Sequence, residues 1–289
     1  MQYVFFGSPE FAVDVLNELW DAQLPPTLII TQPAKPKGRK LLLTPTPAYD
    51  WAVAHGIAVK TPEQVKGNQE LLRELREVHA DCFVVAAYGK ILPKELLTIP
   101  PHGVLNVHPS LLPKFRGSSP VESFILSDEK ETGTTIILLD EEMDHGPIVS
   151  QEILQLPYAP MKGGELEHLL ASQGGKLLGK ILRSLKISHI TASPQIHEHA
   201  TYTKKIKKED GMINLQDDPH SNLKKIRAFD PWPGAYTFFH KDGKELRVRI
   251  NDAKLSSDGH LEILRVTPEG KSEMPYEDFV RGYGSLDRH

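Results

Sequence analysis

Short apolar runs alternate with helix-forming segments through the first 185 residues, and this alternation constrains the fold more than any other feature. Runs such as Tyr3 to Phe6 and Cys82 to Ala87 are apolar at consecutive positions, which is typical of strands buried on both faces of a sheet. The segments between such runs carry apolar residues every three to four positions, as amphipathic helices do. We therefore predict an α/β fold with a doubly wound, mostly parallel sheet, to which Ile148 to Leu154 adds an antiparallel edge.

Two short polar motifs mark predicted helix starts. Ser8 and Thr46 each precede a proline, and a serine or threonine before proline is typical of an N-cap followed by the first helical residue. A long amphipathic segment from Glu165 to Leu185 is expected to form the helix that closes this α/β domain.

The pattern changes after residue 185. Residues 186–200 are polar and are read as a linker. Three strand-like runs then follow, separated by glycine-containing turns, and they predict a small β-barrel domain with one helix, Pro219 to Ala228. The predicted parts are an α/β domain at 1–185, a linker at 186–200 and a β domain at 201–289. The strand-like runs are Ala235 to His240, Glu245 to Leu255 and His260 to Val266.

Composition predicts a soluble globular protein, and we expect a cytoplasmic location. It has 289 residues, of which 39% are hydrophobic and 25% are charged, as in ordinary soluble domains. No apolar run approaches the roughly 18 residues of a membrane span, and the first residues do not resemble a signal peptide. The single cysteine, Cys82, lies in an apolar run and is expected to be buried rather than reactive.

Three polar residues carry the strongest functional signal. Asn106 and His108 are two positions apart at the end of an apolar run that Pro109 terminates, so a strand would place both side chains on one face. Asp144 follows a second apolar run and can come from a neighbouring strand end. Open α/β sheets place their sites where strands open into loops. The alternative for each residue is structural: a turn asparagine, a hydrogen-bonded core histidine and a loop cap.

These residue types suit acyl transfer to an amine. An amide N–H can hold a developing oxyanion, and an imidazole can donate or accept a proton near neutral pH. A carboxylate beside the imidazole would keep it charged and could relay the proton that the amine loses. Asn106, His108 and Asp144 are therefore the candidate catalytic residues.

Basic residues form two local clusters, although the net charge is −4. Residues 201–289 carry 16 Lys and Arg against 15 Asp and Glu, so this part is more basic than the rest. Such clusters are either solvated loops or contacts for a polyanion such as nucleic acid. One cluster contains Lys35, Lys37, Arg39 and Lys40, and the other contains Lys204, Lys205, Lys207 and Lys208.

Two further signals stay ambiguous or weak. Trp232 stands between two prolines and can either stack on a base or pack between domains. His197 and His199 have the residue type of metal ligands, but they lie in a polar segment without a further spaced ligand. No metal site is predicted.

Asn106, His108 and Asp144, together with the Ser110-Leu111-Leu112-Pro113 turn, resemble the active-site motif of the folate-dependent formyltransferases. Other segments resemble the branch of that family that acts on methionyl-tRNA, and with them the resemblance covers nearly the whole chain. These segments are Val4 to Ala12, Thr31 to Arg39, Val84 to Pro93, Tyr202 to Lys205 and Ile226 to Gly234.

The resemblance implies a Rossmann-like formyltransferase domain and a C-terminal OB-like β-barrel domain. It also implies 10-formyltetrahydrofolate as co-substrate, no metal, and initiator methionyl-tRNA as the partner of both basic clusters. We expect a monomer, because no association motif is present. The folate contacts implied are Ser110, Leu111, Leu112, Pro113, Tyr88, Gly89, Ile91, Leu92 and Leu139.

Several rival functions remain open from the sequence. The same three residues would serve a formyltransferase acting on a sugar nucleotide amine or on glycinamide ribonucleotide, and a hydrolase would replace the amine by water. A rival from another class is an RNA-binding module without catalysis, which would not need Asn106, His108 and Asp144 together.

Overall fold

The computed structural model describes residues 1–38, 41–127, 129–156, 161–185, 190–241 and 243–286. Contacts divide the chain into two compact units. The N-terminal unit comprises Met1–Gly117, Glu131–Gln155 and Glu167–Tyr202; the C-terminal unit comprises Ser118–Lys130, Leu156–Leu166 and Thr203–His289. The boundaries expected at residues 185 and 200 stay a prediction.

The N-terminal unit contains nine strands among its described residues. They are β1 (Tyr3–Gly7), β2 (Leu28–Ile30), β3 (Lys35–Lys37), β4 (Leu42–Thr44), β5 (Ala58–Lys60), β6 (Cys82–Ala86), β7 (Val104–His108), β8 (Gly133–Leu138) and β9 (Ile148–Ile153). Seven of them form one sheet in the order β5-β2-β1-β6-β7-β8-β9, while β3 and β4 form a separate hairpin. Pairing is parallel from β5 to β7 and antiparallel from β7 to β9.

Helices pack on both faces of this sheet. The described helices of the whole chain are α1 (Glu10–Asp21), α2 (Pro47–Ala54), α3 (Gln69–Glu77), α4 (Lys94–Leu97), α5 (Pro120–Leu126), α6 (Gly163–Ser184), α7 (Pro219–Ala228) and α8 (Tyr276–Gly282). Tyr3 and Phe5 lie in one core with α1, α2 and α6. Val4 and Phe6 lie in a second core with α3 and α4. Successive β1 residues therefore face opposite cores, and the predicted doubly wound, mostly parallel sheet is confirmed.

One expected helix cap differs from the structure. Helix α1 begins at Glu10 with Pro9 as its N-cap and no side-chain cap. The Ser8 hydroxyl instead accepts hydrogen bonds from Gln32 N and Thr31 Oγ1, both at 3.2 Å. Contacts with the residues that follow β2 have replaced the local cap. Thr46 caps α2 as predicted, because its side chain accepts the Tyr49 N–H.

The C-terminal unit is built on a four-stranded antiparallel sheet, which confirms the predicted small β domain. Its order is β10-β11-β12-β13, with bounds Tyr236–Lys241, Lys244–Leu255, Leu261–Pro268 and Met274–Pro275. Helix α7 has the bounds expected from the sequence. Its Ile226 packs with Phe239, Val248 and Phe279 in the core of this unit. Strand β13 and helix α8 were not predicted.

Candidate active site

Strand β7 carries the first two candidate residues to its C-terminal end. All five β7 residues are buried, and the period-two geometry places Asn106 and His108 on the same face. Asn106 is 8% exposed and His108 is 4% exposed. Asn106 pairs in register with Val85 of β6. Strand β7 is the last strand of the parallel part of the sheet, so Asn106 lies at the boundary of that part. The strand thus delivers an amide and an imidazole to one point, largely shielded from water.

Asp144 reaches the same point from the connection between β8 and β9. Its Oδ1 lies 3.5 Å from Asn106 Nδ2 and 3.7 Å from His108 Nδ1. Its Oδ2 accepts a 2.8 Å hydrogen bond from the Gly117 N–H. The structure therefore brings the three candidate catalytic residues together, and the roles assigned to them remain a prediction.

The contacts of the two His108 ring nitrogens define what the ring can do. Its Nε2 lies 3.0 Å from the Phe115 carbonyl oxygen. A carbonyl can only accept, so Nε2 carries a proton. The other nitrogen, Nδ1, faces the Asp144 carboxylate. Nε2 is thus engaged by a carbonyl oxygen, whereas Nδ1, 3.7 Å from the carboxylate, lies at ion-pair distance rather than hydrogen-bond distance.

A tight backbone turn sets the position of Asp144. Its φ is +50°, in the left-handed region that is sterically costly for residues other than glycine. Gly146, two residues on, packs so closely that a Cβ would lie 1.8 Å from the Leu138 carbonyl oxygen. A side chain at position 146 would push the turn away from the end of β8.

Sequence reasoning missed two buried polar residues next to Asp144. Arg116 is 1% exposed and Gln195 is 5% exposed, and they are hydrogen-bonded to each other. Gln195 lies in the segment that was read as a linker, 79 positions from Arg116. No local pattern marks such a long-range contact, and Arg116 stands two residues after Lys114, where a second basic residue does not signal burial.

The Ser110-to-Pro113 turn is held by a hydrogen bond to Lys114 and by hydrogen bonds to side chains of β8 and β9. The Ser110 hydroxyl donates to the Lys114 carbonyl at 2.7 Å, and the Ser110 carbonyl accepts from Thr135 Oγ1 at 2.6 Å. Gln151 Nε2 donates to the Leu112 carbonyl at 2.9 Å. Ser110 and Leu112 are buried, and Leu111 and Pro113 are half-buried. Their contact with folate stays a prediction.

The other predicted folate positions surround the ends of β6 and β8. Tyr88 and Leu92 belong to one apolar cluster, against which Leu139 packs. Gly89 has a φ of +74°, and Ile91 is 84% exposed. The Tyr88 hydroxyl is buried without a hydrogen-bond partner among the described residues, and burial raises the pKa of Tyr88 to about 12.

Six of the eight predicted tRNA contacts can be placed. Lys35 and Lys37 are exposed on β3, and the Lys35 ammonium donates to Gln32 Oε1 at 2.7 Å. Arg39 and Lys40 lie outside the described residues. The other cluster belongs to the C-terminal unit, and its lysines are all exposed. They are Lys204, Lys205, Lys207 and Lys208.

In the described ranges, no group of three or more His, Cys, Asp or Glu side chains is placed to hold a metal ion. Within that same part of the chain, no helix is long and apolar enough to cross a membrane.

The chain is similar to known proteins along most of its length. A family model described as formyl transferase matches residues 1–192, and one described as formyl transferase, C-terminal domain, matches residues 205–258. The methionyl-tRNA formyltransferase of Dictyoglomus thermophilum is 37% identical over 308 aligned positions, which cover 98% of this chain and 97% of that protein.

Solved structures share the fold. The methionyl-tRNA formyltransferase of Clostridium thermocellum superposes with a TM-score of 0.59 at 17% identity, covering 93% of this chain and 98% of that one. HypX of Aquifex aeolicus in complex with tetrahydrofolic acid gives a TM-score of 0.65 at 16% identity, covering 98% of this chain and 47% of that one. Because one family model spans well over half of the sequence and a relative matches along nearly its whole length, this chain belongs to the formyl transferase family.

Proposed function

We propose that this protein transfers the formyl group of 10-formyltetrahydrofolate to the free amino group of methionyl-tRNA, giving N-formylmethionyl-tRNA for translation initiation. The observation that carries the proposal is the convergence of Asn106, His108 and Asp144 at the end of β7. The family supplies the reaction class, and the full-length relative named above supplies the acceptor.

The residues around the ends of β6 and β8 fit a folate. A pterin is a flat heterocycle with polar edges, and an apolar cluster beside loop backbone suits its faces and edges. Tyr88, Leu92 and Leu139 would supply the apolar contacts, and the buried Tyr88 hydroxyl is a polar group still lacking a partner among the described residues. When bound, 10-formyltetrahydrofolate supplies an activated formyl group on nitrogen.

Asn106 and His108 stabilise the charge that develops on the formyl oxygen as the amine attacks. The Asn106 amide donates an N–H, and a protonated His108 donates a second hydrogen bond with positive charge. Donors fixed before the reaction need no reorganisation, and burial strengthens their effect because little water competes. The 8% and 4% exposure of the two residues meets that condition.

Asp144 orients His108 and accepts a proton during the reaction. Its carboxylate keeps His108 charged and oriented, and it accepts the proton that the attacking amine loses, directly or through a water molecule. The attacking amine has to be neutral. Esterification to tRNA removes the free carboxylate of the amino acid, so the amine gives up its proton more readily. As the tetrahedral intermediate collapses, the bond between the formyl carbon and the folate nitrogen breaks, and that nitrogen takes up a proton, passed back from Asp144 or supplied by water. The products are the formylated amine and tetrahydrofolate.

The exposed lysines provide the contacts for tRNA. Lys35 and Lys37, with Arg39 and Lys40, would meet the acceptor end, and the cluster from Lys204 to Lys208 would meet backbone phosphates elsewhere on the tRNA. Recognition of initiator tRNA, the monomeric state and the cytoplasmic location belong to this proposal as predictions.

The test is formyl transfer from 10-formyltetrahydrofolate with three acceptors in competition: methionyl-tRNA, an amino-sugar nucleotide and glycinamide ribonucleotide. We expect product on methionyl-tRNA alone, with an Asp144→Asn variant lowered at least about 100-fold. Transfer only to a small amine would keep the chemistry and overturn the acceptor. Retained RNA binding without transfer to any acceptor would point to the RNA-binding module instead.

A further inference from the structure

The turn that carries Asp144 is tied to a single buried amide. Gln195 Nε2 donates to the Asp144 carbonyl oxygen at 2.8 Å and to the Gly146 carbonyl oxygen at 2.7 Å. These two bonds span the turn whose first residue has a φ of +50°. Unfavourable backbone conformations persist only where the surroundings fix them. Both N–H groups of the Gln195 amide are used for this purpose.

Arg116 fixes the orientation of that amide. Its Nη2 and Nε donate to Gln195 Oε1 at 2.6 Å and 3.1 Å. A guanidinium can only donate and a backbone carbonyl can only accept, so the amide has one possible orientation. The oxygen faces Arg116 and the nitrogen faces the turn. A glutamate at this position would keep the arginine contact but place an oxygen against two carbonyl oxygens.

The surroundings of Arg116 leave Gln195 little freedom. The remaining guanidinium contacts go to His197 Nδ1 at 2.9 Å and to the Tyr202 hydroxyl at 3.3 Å. The segment that carries Gln195 is fastened on both sides. Ser193 exchanges two 2.8 Å backbone hydrogen bonds with Ile148, and Thr201 O accepts the Arg116 N–H at 2.8 Å.

From these contacts we infer that Gln195 is a positioning residue for Asp144, oriented in turn by Arg116. Gln195 contacts the backbone of the turn and leaves the Asp144 carboxylate free for Asn106, His108 and the Gly117 N–H. It acts on the reaction only by keeping that carboxylate within reach of the imidazole. The inference rests on the proposed function for its effect on turnover, whereas its geometric part is independent of that function.

The first test is a pair of matched substitutions. Gln195→Met keeps the length of the side chain and removes both N–H donors. Gln173→Met is the control, because Gln173 in the same unit also donates to a backbone carbonyl, that of Ile153 at 3.1 Å. We expect Gln195→Met to lower kcat about 10- to 100-fold with KM for both substrates within about twofold, and the control to stay near wild type.

A double-mutant cycle separates positioning from general destabilisation. If Gln195 acts through Asp144, Gln195→Met costs little further turnover in an Asp144→Ala background, measured under single-turnover conditions. An equal loss in both backgrounds would overturn the inference, as would a folded Gln195→Met enzyme with wild-type kcat. Should Gln195→Met fail to fold, Gln195→Glu carries the same expectations, because it retains the Arg116 contact.

Hydrogen exchange supplies a readout that does not depend on activity. The Gly117 N–H donates to Asp144 Oδ2, so displacement of Asp144 exposes this amide. We expect faster exchange at Gly117 in Gln195→Met and unchanged exchange in Gln173→Met. Unchanged exchange in both variants would overturn the inference. Wild-type protein that formylates no acceptor would instead refute the proposed function, and the exchange result would still decide whether Gln195 holds the turn.

Discussion

Asn106 is the residue whose removal tests the oxyanion role most directly. Its amide is buried beside His108 and Asp144, so an alanine there removes a donor without disturbing the surface of the protein. We expect Asn106→Ala to lower kcat about 10²- to 10³-fold, as for other oxyanion donors, with a smaller effect on KM for either substrate. Steady-state kinetics with methionyl-tRNA and 10-formyltetrahydrofolate measure both constants.

Asn68→Ala is a matched control for that experiment. The Asn68 side chain caps α3 by accepting the Leu71 N–H at 3.0 Å, so its loss should cost roughly 1 kcal/mol of stability and leave kcat unchanged. If Asn106→Ala lost no more turnover than Asn68→Ala, the oxyanion role of Asn106 would be wrong.

Cys82 gives a second prediction at the scale of one residue. It is completely buried in β6, and burial, aided by the nearby Asp81 carboxylate, raises the pKa of its thiol to about 12. Because the thiolate is the reactive form, thiol reagents at pH 8 should label the native protein at least about 1000-fold more slowly than the protein in guanidinium chloride. Comparable labelling rates in the two conditions would contradict the buried position of this side chain.

Local geometry explains which site residues the sequence revealed. Asn106 and His108 lie two positions apart on one strand, so strand alternation alone places them together. Asp144 follows the next strand-like run of the sequence and meets Asn106 and His108 at the same end of the sheet. Gln195 and Arg116 are hydrogen-bonded although they lie 79 positions apart in the sequence. Both lie outside the named helices and strands, where neither periodicity nor turn chemistry gives a signal.

Helix α5 carries a prediction at the scale of a structural element. Burial raises the pKa of the Glu122 carboxyl. The folded state therefore binds this proton more tightly than the unfolded chain, for which the pKa is about 4.3. The stability that the protonated Glu122 carboxyl contributes is complete below that value, and it is lost as pH rises through the pKa of the folded state. At neutral pH the partly buried carboxylate is thus destabilising.

Glu122→Gln should accordingly raise Tm at pH 7.5, and the gain should shrink as pH falls towards 4. Thermal unfolding followed by circular dichroism at several pH values measures this dependence. Glu269→Gln, at an exposed position of the same unit, should shift Tm little at any pH. A gain in Glu122→Gln that persisted undiminished at pH 4 would show that desolvation of the carboxylate is not its cause.

Elements with clear periodicity were predicted, and those without it were missed. The hairpin of β3 and β4 is an example, because Pro36 within Lys35–Lys37 argues against a strand. In a two-stranded ribbon both strands are edges, so a proline is tolerated, and Pro36 pairs with Leu43. Strand β13 has only two residues, too few for any alternation to be recognised.

At the scale of the whole molecule, the sequence predicted the two kinds of architecture but not every strand direction. The apolar runs of β7 and β8 identify both as strands, yet β8 pairs antiparallel with β7. An apolar run has no polarity of its own; direction depends on the connection, and a parallel pair needs a crossover packed on the sheet. Helix α5, between β7 and β8 in sequence, belongs to the C-terminal unit instead.

Charge distribution gives the last prediction, which concerns the whole molecule and its polyanionic substrate. Each lysine that meets a phosphate should contribute roughly −1 to the slope of log affinity against log salt. Changing Lys204 and Lys205 to alanine should weaken tRNA binding and flatten the slope by about 2, leaving KM for 10-formyltetrahydrofolate unchanged.

Changing Lys254 and Lys271, two exposed lysines of the same unit, removes the same charge elsewhere and should leave the slope unaltered. Filter binding over a salt range of about 50 to about 200 mM measures both slopes and distinguishes the two variants. Equal slopes would mean that overall charge, rather than the 204–208 cluster, attracts the tRNA.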